Sequence, residues 1–486
     1  MATQSARTLD LLSKSSRAAT PVVGPTRKCG VASKEARESP SGDDTHPPRR
    51  THTITRTPSP LPISAIPTLH NPARPAQSIS RSEVPSLPLS VFFTAPCTIC
   101  YNPDSTPFDK RLSLTRAVRH PATLPAACDD QGRRFATAFA ALDDAITAHA
   151  FPAASIAVTH QGKLVARRAF GHFTYEPKAP EPAPDTLFDL ASVTKVIATT
   201  TMAMILYQRG LLDLEMAVIS IVGEFAGEDP RRDEVTLRML LAHSSGLPAY
   251  EKLFLSAHTR EELLEAVYST PLVNDPVSHF EYSDIGFIIL GTALERLADE
   301  SLDRYCQREI FGPLGMTHTT FKPAPELRAS IPPTADDQTF RHRIIQGEVH
   351  DENASVLGGV AAHAGLFATA HDVATFAHAM LQGGHPVLRP ETLALFTKRE
   401  ASPAGTSRAL GWDTPSAPSQ SGRYFSASSY GHLGYTGTSL WIDPERDLSI
   451  TLLTNRTWPD SKNQAIRQIR PRFHDAIIEA LAKHES

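Results

Sequence analysis

The most constraining feature of the chain is an apolar run from Val196 to Tyr207 that directly follows a Ser-x-x-Lys sequence, Ser192 to Lys195. The run is rich in Ala, Met, Ile and Leu and contains no Gly or Pro, so it predicts a buried helix. Residues three apart lie on one face of a helix, which would bring Ser192 and Lys195 together. Serine becomes a useful nucleophile when a base lies beside it. Burial at a helix start should also lower the pKa of the lysine toward its neutral, basic form.

A motif with two unspecified positions can occur by chance in a long chain, although this is the only Ser-x-x-Lys in the sequence. The other interpretation is that Ser192 and Lys195 merely cap the exposed start of a core helix. The motif alone does not distinguish a catalytic pair from such a cap.

Two later segments carry further reactive or polar groups. The polar segment 280–286 contains Tyr282 and precedes an apolar helix predicted from Phe287 to Leu297. Near the C-terminus, His432-Leu433-Gly434 is followed by Tyr435 and a β-rich run. A loop tyrosine commonly packs on apolar neighbours and a strand histidine commonly faces solvent, so each segment also has a structural interpretation.

In this order, Ser-x-x-Lys, Tyr-Ser-Asp and His-Leu-Gly resemble the three signature motifs of the serine β-lactamase and penicillin-binding-protein superfamily. The likeness is greatest to its class C-related branch, which also contains esterases and D-alanyl-D-alanine peptidases. It covers roughly Asp130 to the C-terminus and includes the segments 235–248, 312–316 and 358–366. The resemblance implies an α/β fold, with an antiparallel sheet flanked by helices, an all-α region, and the active site between them.

The resemblance also implies a role for each motif. Ser192 would be the nucleophile that forms an acyl-enzyme, and Lys195 and Tyr282 would share its proton transfers. Which of those two is the base stays open, because coupled groups titrate as a unit. The backbone N–H groups of Ser192 and Tyr435 would form the oxyanion hole.

Departures from the family pattern bear on the substrate. His432-Leu433-Gly434 stands where β-lactamases and peptidases carry Lys-Thr-Gly, and Asp284 replaces the usual Asn. We expect Asp284, His432 and Gly434 to contact the substrate, with a mostly neutral histidine offering little to a carboxylate. These features favour a small neutral ester or amide. The alternatives are a β-lactamase or D-alanyl-D-alanine carboxypeptidase, and a penicillin-binding module without turnover.

Periodicity predicts an antiparallel sheet built from both ends of the homologous region. Near its start we expect a helix and a β-hairpin, and near its end three strands and a helix. The expected elements are a helix over Arg133–His149, strands over Ala154–Thr159, Leu164–Phe170, Tyr430–Thr436, Thr438–Asp443 and Leu448–Asn455, and a helix over Ile466–Leu481.

Composition divides the 486 residues at position 128. Residues 1–128 carry 16 Lys and Arg against 8 Asp and Glu and hold 18 of the 40 prolines, so residues 129–486 have a net charge of -12. A segment so rich in Pro and Ser and so poor in apolar periodicity predicts disorder. We therefore expect a disordered extension over 1–128 and one hydrolase domain over 129–486.

The same residues limit the classes of partner and compartment. The near-neutral charge of -4 gives no reason to expect nucleic-acid binding. The sequence shows neither a secretory signal pattern nor an apolar stretch of about 20 residues. The resemblance alone suggests a periplasmic or extracellular location. Cys97 and Cys100 lack a second ligand pair, so we expect neither metal nor cofactor. The family resemblance implies a small-molecule substrate. Oligomeric state is not predicted.

Overall fold

The centre of the fold is a sheet that joins both ends of the region described by the computed structural model, residues 124–485. Within that region, β2-β1-β9-β8-β7 form one antiparallel sheet, while β3-β6 and β4-β5 form short antiparallel pairs. The strands are β1 (Ala153–His160), β2 (Lys163–Gly171), β3 (Phe188–Asp189), β4 (Ala335–Asp337), β5 (Arg343–Ile345), β6 (Phe367–Ala368), β7 (Tyr430–Leu433), β8 (Ser439–Asp443) and β9 (Leu448–Thr454).

The predicted hairpin and the predicted C-terminal strands are confirmed, with small changes at their ends. Gln161 and Gly162 both adopt positive φ, which suits the two-residue turn between β1 and β2. Strand β1 lies between β2 and β9 and is buried along its whole length, as expected for a central strand. Strand β7 is shorter than predicted because the chain leaves the sheet at Gly434 and turns back into β8.

Helices cover both faces of the sheet and fill the region between its N-terminal and C-terminal halves. The helices of the described region are α1 (Gln131–Arg134), α2 (Ala136–Thr147), α3 (Thr201–Gln208), α4 (Leu237–Leu241), α5 (Arg260–Ser269), α6 (Asp284–Ala298), α7 (Leu302–Cys306), α8 (Gly312–Leu314), α9 (Glu352–Val356), α10 (Ala370–Leu381), α11 (Pro390–Thr397) and α12 (Ile466–Glu485). Together they confirm the predicted α/β class with an inserted helical block.

Two hydrophobic cores hold this arrangement together. On one face of the sheet, α2 and α12 pack against each other and bury Phe135, Ile156, Trp441 and Ile477. On the other face, α10 packs against β1 and β9 and joins a larger core that contains the buried residues of α3 and α6. The motifs predicted to form the site meet at the border between the larger core and the sheet, where the turn that carries Ser192 contacts β7.

The predicted helix limits need correction at four places. The expected Phe287–Leu297 helix is α6, which begins earlier, at Asp284, and ends at Ala298. The expected Arg133–His149 helix is two helices, α1 and α2, and the second ends at Thr147. The expected Val196–Tyr207 helix begins as a π-helical turn, Lys195–Thr200, and continues as α3. Such turns often occur at functional sites. The C-terminal helix α12 runs past the predicted end at Leu481.

The predicted extension, residues 1–128, lies outside the described residues except for its last five, and so does the Cys97–Cys100 pair. The boundary at 128 and the disorder of the extension therefore remain predictions. Within residues 124–485, no helix is both long and apolar enough to cross a membrane.

Candidate active site

A short 3-10 turn, Ala191–Val193, presents Ser192 directly after β3. Ala191 adopts φ of +46°, a left-handed conformation that is uncommon for a residue with a side chain. The buried Asp189 carboxylate supports this turn because it accepts the Ala191 N–H at 2.8 Å and the His350 N–H at 2.7 Å. Burial raises the pKa of Asp189 to about 6, although both N–H bonds act in the opposite direction. The sequence analysis did not identify this role of Asp189.

The structure brings Lys195 next to Ser192, as the helical spacing predicted. Lys195 is fully buried, and its Nζ donates hydrogen bonds to Ser192 Oγ at 3.1 Å and to the His363 carbonyl at 3.0 Å. Its shortest contact is an ion pair with Asp284, at 2.6 Å between Nζ and Oδ1. The lysine therefore joins the Ser192 hydroxyl to a carboxylate near the start of α6.

The protonation state expected for Lys195 was wrong. Burial does act to lower the pKa of this lysine, but the Asp284 carboxylate and Tyr282 outweigh burial and raise it above its ordinary value. The prediction considered desolvation and the helix dipole alone and did not include an ionic partner. In the resting site, Lys195 is an ammonium group. Asp284, predicted to contact substrate, lines the cleft but also pairs with this lysine.

Tyr282 lies beside Lys195, immediately before the Ser283 N-cap of α6. Its ring packs against that of His243 in a tilted arrangement, at 4.6 Å between centroids, and Lys195 Nζ lies 4.9 Å from its ring centroid. Its hydroxyl is buried near Lys195 and Ser192, but within the described region no contact satisfies hydrogen-bond geometry. Burial raises the pKa of Tyr282, and the nearby lysine only partly offsets this. The hydroxyl is thus protonated and oriented by packing.

Tyr435 lies in the turn between β7 and β8, which approaches the segment that carries Ser192. A Cβ on Gly434 would lie 2.5 Å from the Leu190 carbonyl, so only glycine permits this approach. Thr436 donates to the Asp189 carbonyl at 2.8 Å and ties the turn after β7 to the turn that holds Ser192. Neither the Ser192 nor the Tyr435 backbone N–H has an acceptor within residues 124–485. Both donors therefore suit the predicted oxyanion hole.

His432 is neutral, in agreement with the sequence analysis. Burial, together with the cations Arg408 and Lys195, lowers its pKa well below the ordinary value. Its Nδ1 lies 2.8 Å from the Leu433 carbonyl, and because a carbonyl can only accept, Nδ1 carries the proton. The Nε2 atom is buried without a hydrogen-bond partner in the described region.

Arg408 is a cation near His432 that motif analysis missed. Its guanidinium lies 5.0 Å from the Phe280 ring centroid and 5.2 Å from that of Tyr282, and it lines the cleft that contains Ser192. The nearest carboxylate is Asp413, at 3.7 Å, a long contact for an ion pair. Arg408 lies in a loop between α11 and β7, where no local pattern identifies it.

Ser192, Tyr282, Asp284, Arg408 and His432 line one cleft of about 1340 Å³, and the fully buried Lys195 contacts Ser192 at its wall. That volume exceeds the usual range for small-molecule pockets, about 300–1,000 Å³. Away from Ser192 the walls carry charges of both signs: Asp336, Glu352, Arg456, Lys462 and Arg467. Within the described part of the chain, no cluster of three or more His, Cys, Asp or Glu residues could hold a metal ion.

Comparison with known proteins identifies the family. A family model described as beta-lactamase matches residues 135–471. The chain belongs to the β-lactamase family. A protein of Salmonella agona (strain SL483), described as "Putative D-alanyl-D-alanine carboxypeptidase", is 32% identical over 347 residues, which are 63% of this chain and 79% of that protein. This family includes serine hydrolases, and the chain is one of them.

Solved structures show the same fold. EstCE1, a hydrolase with promiscuous acyltransferase activity, matches with a TM-score of 0.59 and 21% identity, over 71% of this chain and 99% of that protein. Simvastatin synthase (LovD) from Aspergillus terreus matches with a TM-score of 0.56 and 24% identity, over 71% and 98%. At these identities the likeness concerns the fold and not the substrate.

Proposed function

We propose that this β-lactamase-family hydrolase cleaves a small ester or amide through an acyl-enzyme on Ser192. The observation that carries the proposal is the 3.1 Å contact between Lys195 Nζ and Ser192 Oγ within a cleft. A serine with a lysine in hydrogen-bond reach has the arrangement that nucleophilic catalysis requires, provided that the lysine releases a proton before or as it accepts that of the serine. A capping pair at a helix end would not need a fully buried lysine.

Each group then has one task in acyl transfer. Ser192 attacks the acyl carbon, and the N–H groups of Ser192 and Tyr435 bind the oxygen that becomes negative. Fixed donors of this kind need no reorganisation, and removing one typically costs about 100-fold or more in rate. Tyr282, held protonated by burial, is suited to protonate the leaving group. Water then releases the acyl group.

The neutral His432 supports an uncharged substrate. A site that recognises a carboxylate through the third motif needs a fixed cation there, and His432 carries none near neutral pH. We therefore expect higher kcat/KM on p-nitrophenyl acetate or butyrate than on nitrocefin or a D-alanyl-D-alanine peptide.

Arg408 favours a second candidate, a carboxypeptidase acting on peptides with a free carboxylate. Its guanidinium lies beside Tyr282 and has only a long contact to Asp413. The relatives described as carboxypeptidases and the size of the cleft agree with such a substrate. If this candidate is correct, Arg408→Gln should lower kcat/KM on the peptide by much more than on the ester.

Turnover of p-nitrophenyl butyrate tests the hydrolase proposal. It also distinguishes a hydrolase from a binding module that forms an acyl-enzyme but does not hydrolyse it. Repeated turnover by the wild-type protein and its loss in Ser192→Ala are the expected results. Ser461→Ala, which changes another serine of the same cleft, should retain activity. Turnover that persists in Ser192→Ala, or a single stoichiometric burst without turnover in the wild type, would contradict the proposal.

A further inference from the structure

The hydrogen bonds of Lys195 leave no lone pair for Ser192. An ammonium group has three N–H donors and no acceptor. Three oxygens surround Nζ, namely Ser192 Oγ at 3.1 Å, Asp284 Oδ1 at 2.6 Å and the His363 carbonyl at 3.0 Å. Before Nζ can accept the Ser192 proton, or as it does so, it must release one of its own.

Asp284 is the acceptor best placed for that proton. A backbone carbonyl such as that of His363 binds a proton too weakly to hold it, and Ser192 is the group to be deprotonated. Tyr282 is already protonated, since burial raises its pKa. The Asp284 carboxylate is in the shortest contact with Nζ and is fixed near the start of α6, where its own N–H donates to the Ala249 carbonyl at 2.8 Å.

We propose that Asp284 takes the proton that Lys195 Nζ releases when Nζ accepts the proton of Ser192. Asp284 is then a positioning residue that acts through Lys195, and the inference rests on the proposed function. It gives a chemical purpose to an aspartate that stands where the superfamily motif carries asparagine.

The proton transfers balance over one acylation. As Ser192 Oγ forms its bond to the acyl carbon, its proton moves to Nζ, and a proton of Nζ moves to Asp284 Oδ1. The carbonyl electron pair moves to the substrate oxygen, so the negative charge of the carboxylate is transferred to the oxyanion. When the bond to the leaving group breaks, that group takes the Tyr282 proton. The proton on Asp284 then returns through Lys195 to Tyr282.

Other charged or titratable groups adjoin the Lys195–Asp284 pair and must be considered in any pH experiment. Asp284 acts on Tyr250, and Lys195 acts on Tyr282 and on the two buried histidines, while Arg408 adjoins the same rings. These neighbours are Tyr250, Tyr282, His243, His432 and Arg408. None of them contacts Nζ with a carboxylate, so none replaces Asp284 as a proton acceptor.

The pH dependence of acylation in Asp284→Asn tests the proposal. An amide cannot take the proton, so phosphonylation of Ser192 by a fluorophosphonate, which requires the same removal of the Ser192 proton as acylation, should slow at pH 6 by about 100-fold or more. The loss should shrink toward alkaline pH. Without the carboxylate, burial lowers the pKa of Lys195, and solvent can remove the proton. Asp284→Glu should restore part of the rate at pH 6, and Asp336→Asn, in the same cleft, should leave it unchanged.

A wild-type rate at pH 6 in Asp284→Asn would overturn the proposal, and so would an equal loss at every pH. If this variant does not fold, the wild-type pH profile is decisive. The proposal expects a constant acylation rate from pH 8 to pH 10, whereas a rise of about tenfold per pH unit would show that Lys195 must first lose its proton to solvent. Failure of the proposed function is recognised separately, because reactivity would then persist in Ser192→Ala.

Discussion

Two buried basic side chains, Lys195 and His432, lie beside Tyr282 and differ in charge. The lysine is a cation, whereas the histidine is neutral. Lys195 is 0% exposed and His432 is 2% exposed, so desolvation acts strongly on both. Lys195 nevertheless stays charged because the Asp284 carboxylate is 2.6 Å away, whereas His432 is neutral because burial lowers its pKa and the cations Arg408 and Lys195 lower it further. Burial alone therefore does not determine protonation here. The carboxylate in contact with the lysine makes the difference, and it divides the site into a proton-transfer end and an uncharged end.

Removal of the charged member of this pair should have the largest effect. We expect Lys195→Ala to lower kcat on p-nitrophenyl butyrate by about 100- to 10,000-fold, because Ser192 then lacks its neighbouring base. Circular dichroism should show retained secondary structure. His432→Ala is the comparison variant and should lose far less kcat. Equal losses in the two variants would mean that the two ends of the site do not differ in function.

Tyr282→Phe should separate catalysis from stability. The hydroxyl has no hydrogen-bond partner within residues 124–485, so its removal should leave the Tm nearly unchanged. Kcat should still fall by about 100-fold or more, because the proposed proton donor to the leaving group is lost. Stopped-flow acylation and a thermal melt measure the two effects. Full kcat in the variant would exclude Tyr282 from the mechanism.

The predicted features were those that local patterns specify. The apolar run after Lys195 predicted a buried helix, the Gln161-Gly162 turn predicted the hairpin, and the motif order predicted the fold and the group around Ser192. Such features follow from residue spacing and need no knowledge of distant contacts.

The missed features depend on contacts between distant parts of the chain. Asp284 lies 89 residues after Lys195, and nothing in the local sequence of either indicates an ion pair. Arg408 belongs to no motif, and Asp189 has its role only because the left-handed Ala191 and the His350 loop meet at its carboxylate. The charge state of Lys195 therefore could not be predicted, because it depends on a carboxylate that only the fold brings to it.

A positive charge at position 432 should shift the substrate preference of the site toward anionic substrates. In His432→Lys the uncharged end gains a cation, and charge-assisted contacts are about twice as strong as neutral ones. We expect the kcat/KM ratio of nitrocefin or a D-alanyl-D-alanine peptide to p-nitrophenyl butyrate to rise by roughly tenfold. His432→Gln, which adds no charge, should leave that ratio near the wild-type value. A wild-type protein that hydrolyses a β-lactam faster than every ester would contradict the assignment of an uncharged end.

The smallest expected effect concerns stability near Ser192. Burial raises the pKa of Asp189 from 3.8 to about 6 in the folded protein, so folding binds a proton there at intermediate pH. The resulting stability is present below the unfolded pKa and is lost as pH rises through about 6. Relative to Asp189→Asn, the unfolding free energy of the wild type should fall by up to about 1.4 kcal/mol for each unit by which the pH rises between the unfolded pKa and about 6. Urea unfolding at pH 5 and pH 7 measures this difference, and parallel profiles would refute it.

The proposed reaction depends on Ser192 being the nucleophile. A fluorophosphonate phosphonylates an activated serine, and digestion followed by mass spectrometry locates the modified residue. The mass of the probe should appear on the peptide containing Ser192, once per chain, and Ser192→Ala should be unlabelled. Undiminished labelling of Ser192→Ala, or labelling of the wild type at another residue, would show that Ser192 is not the nucleophile.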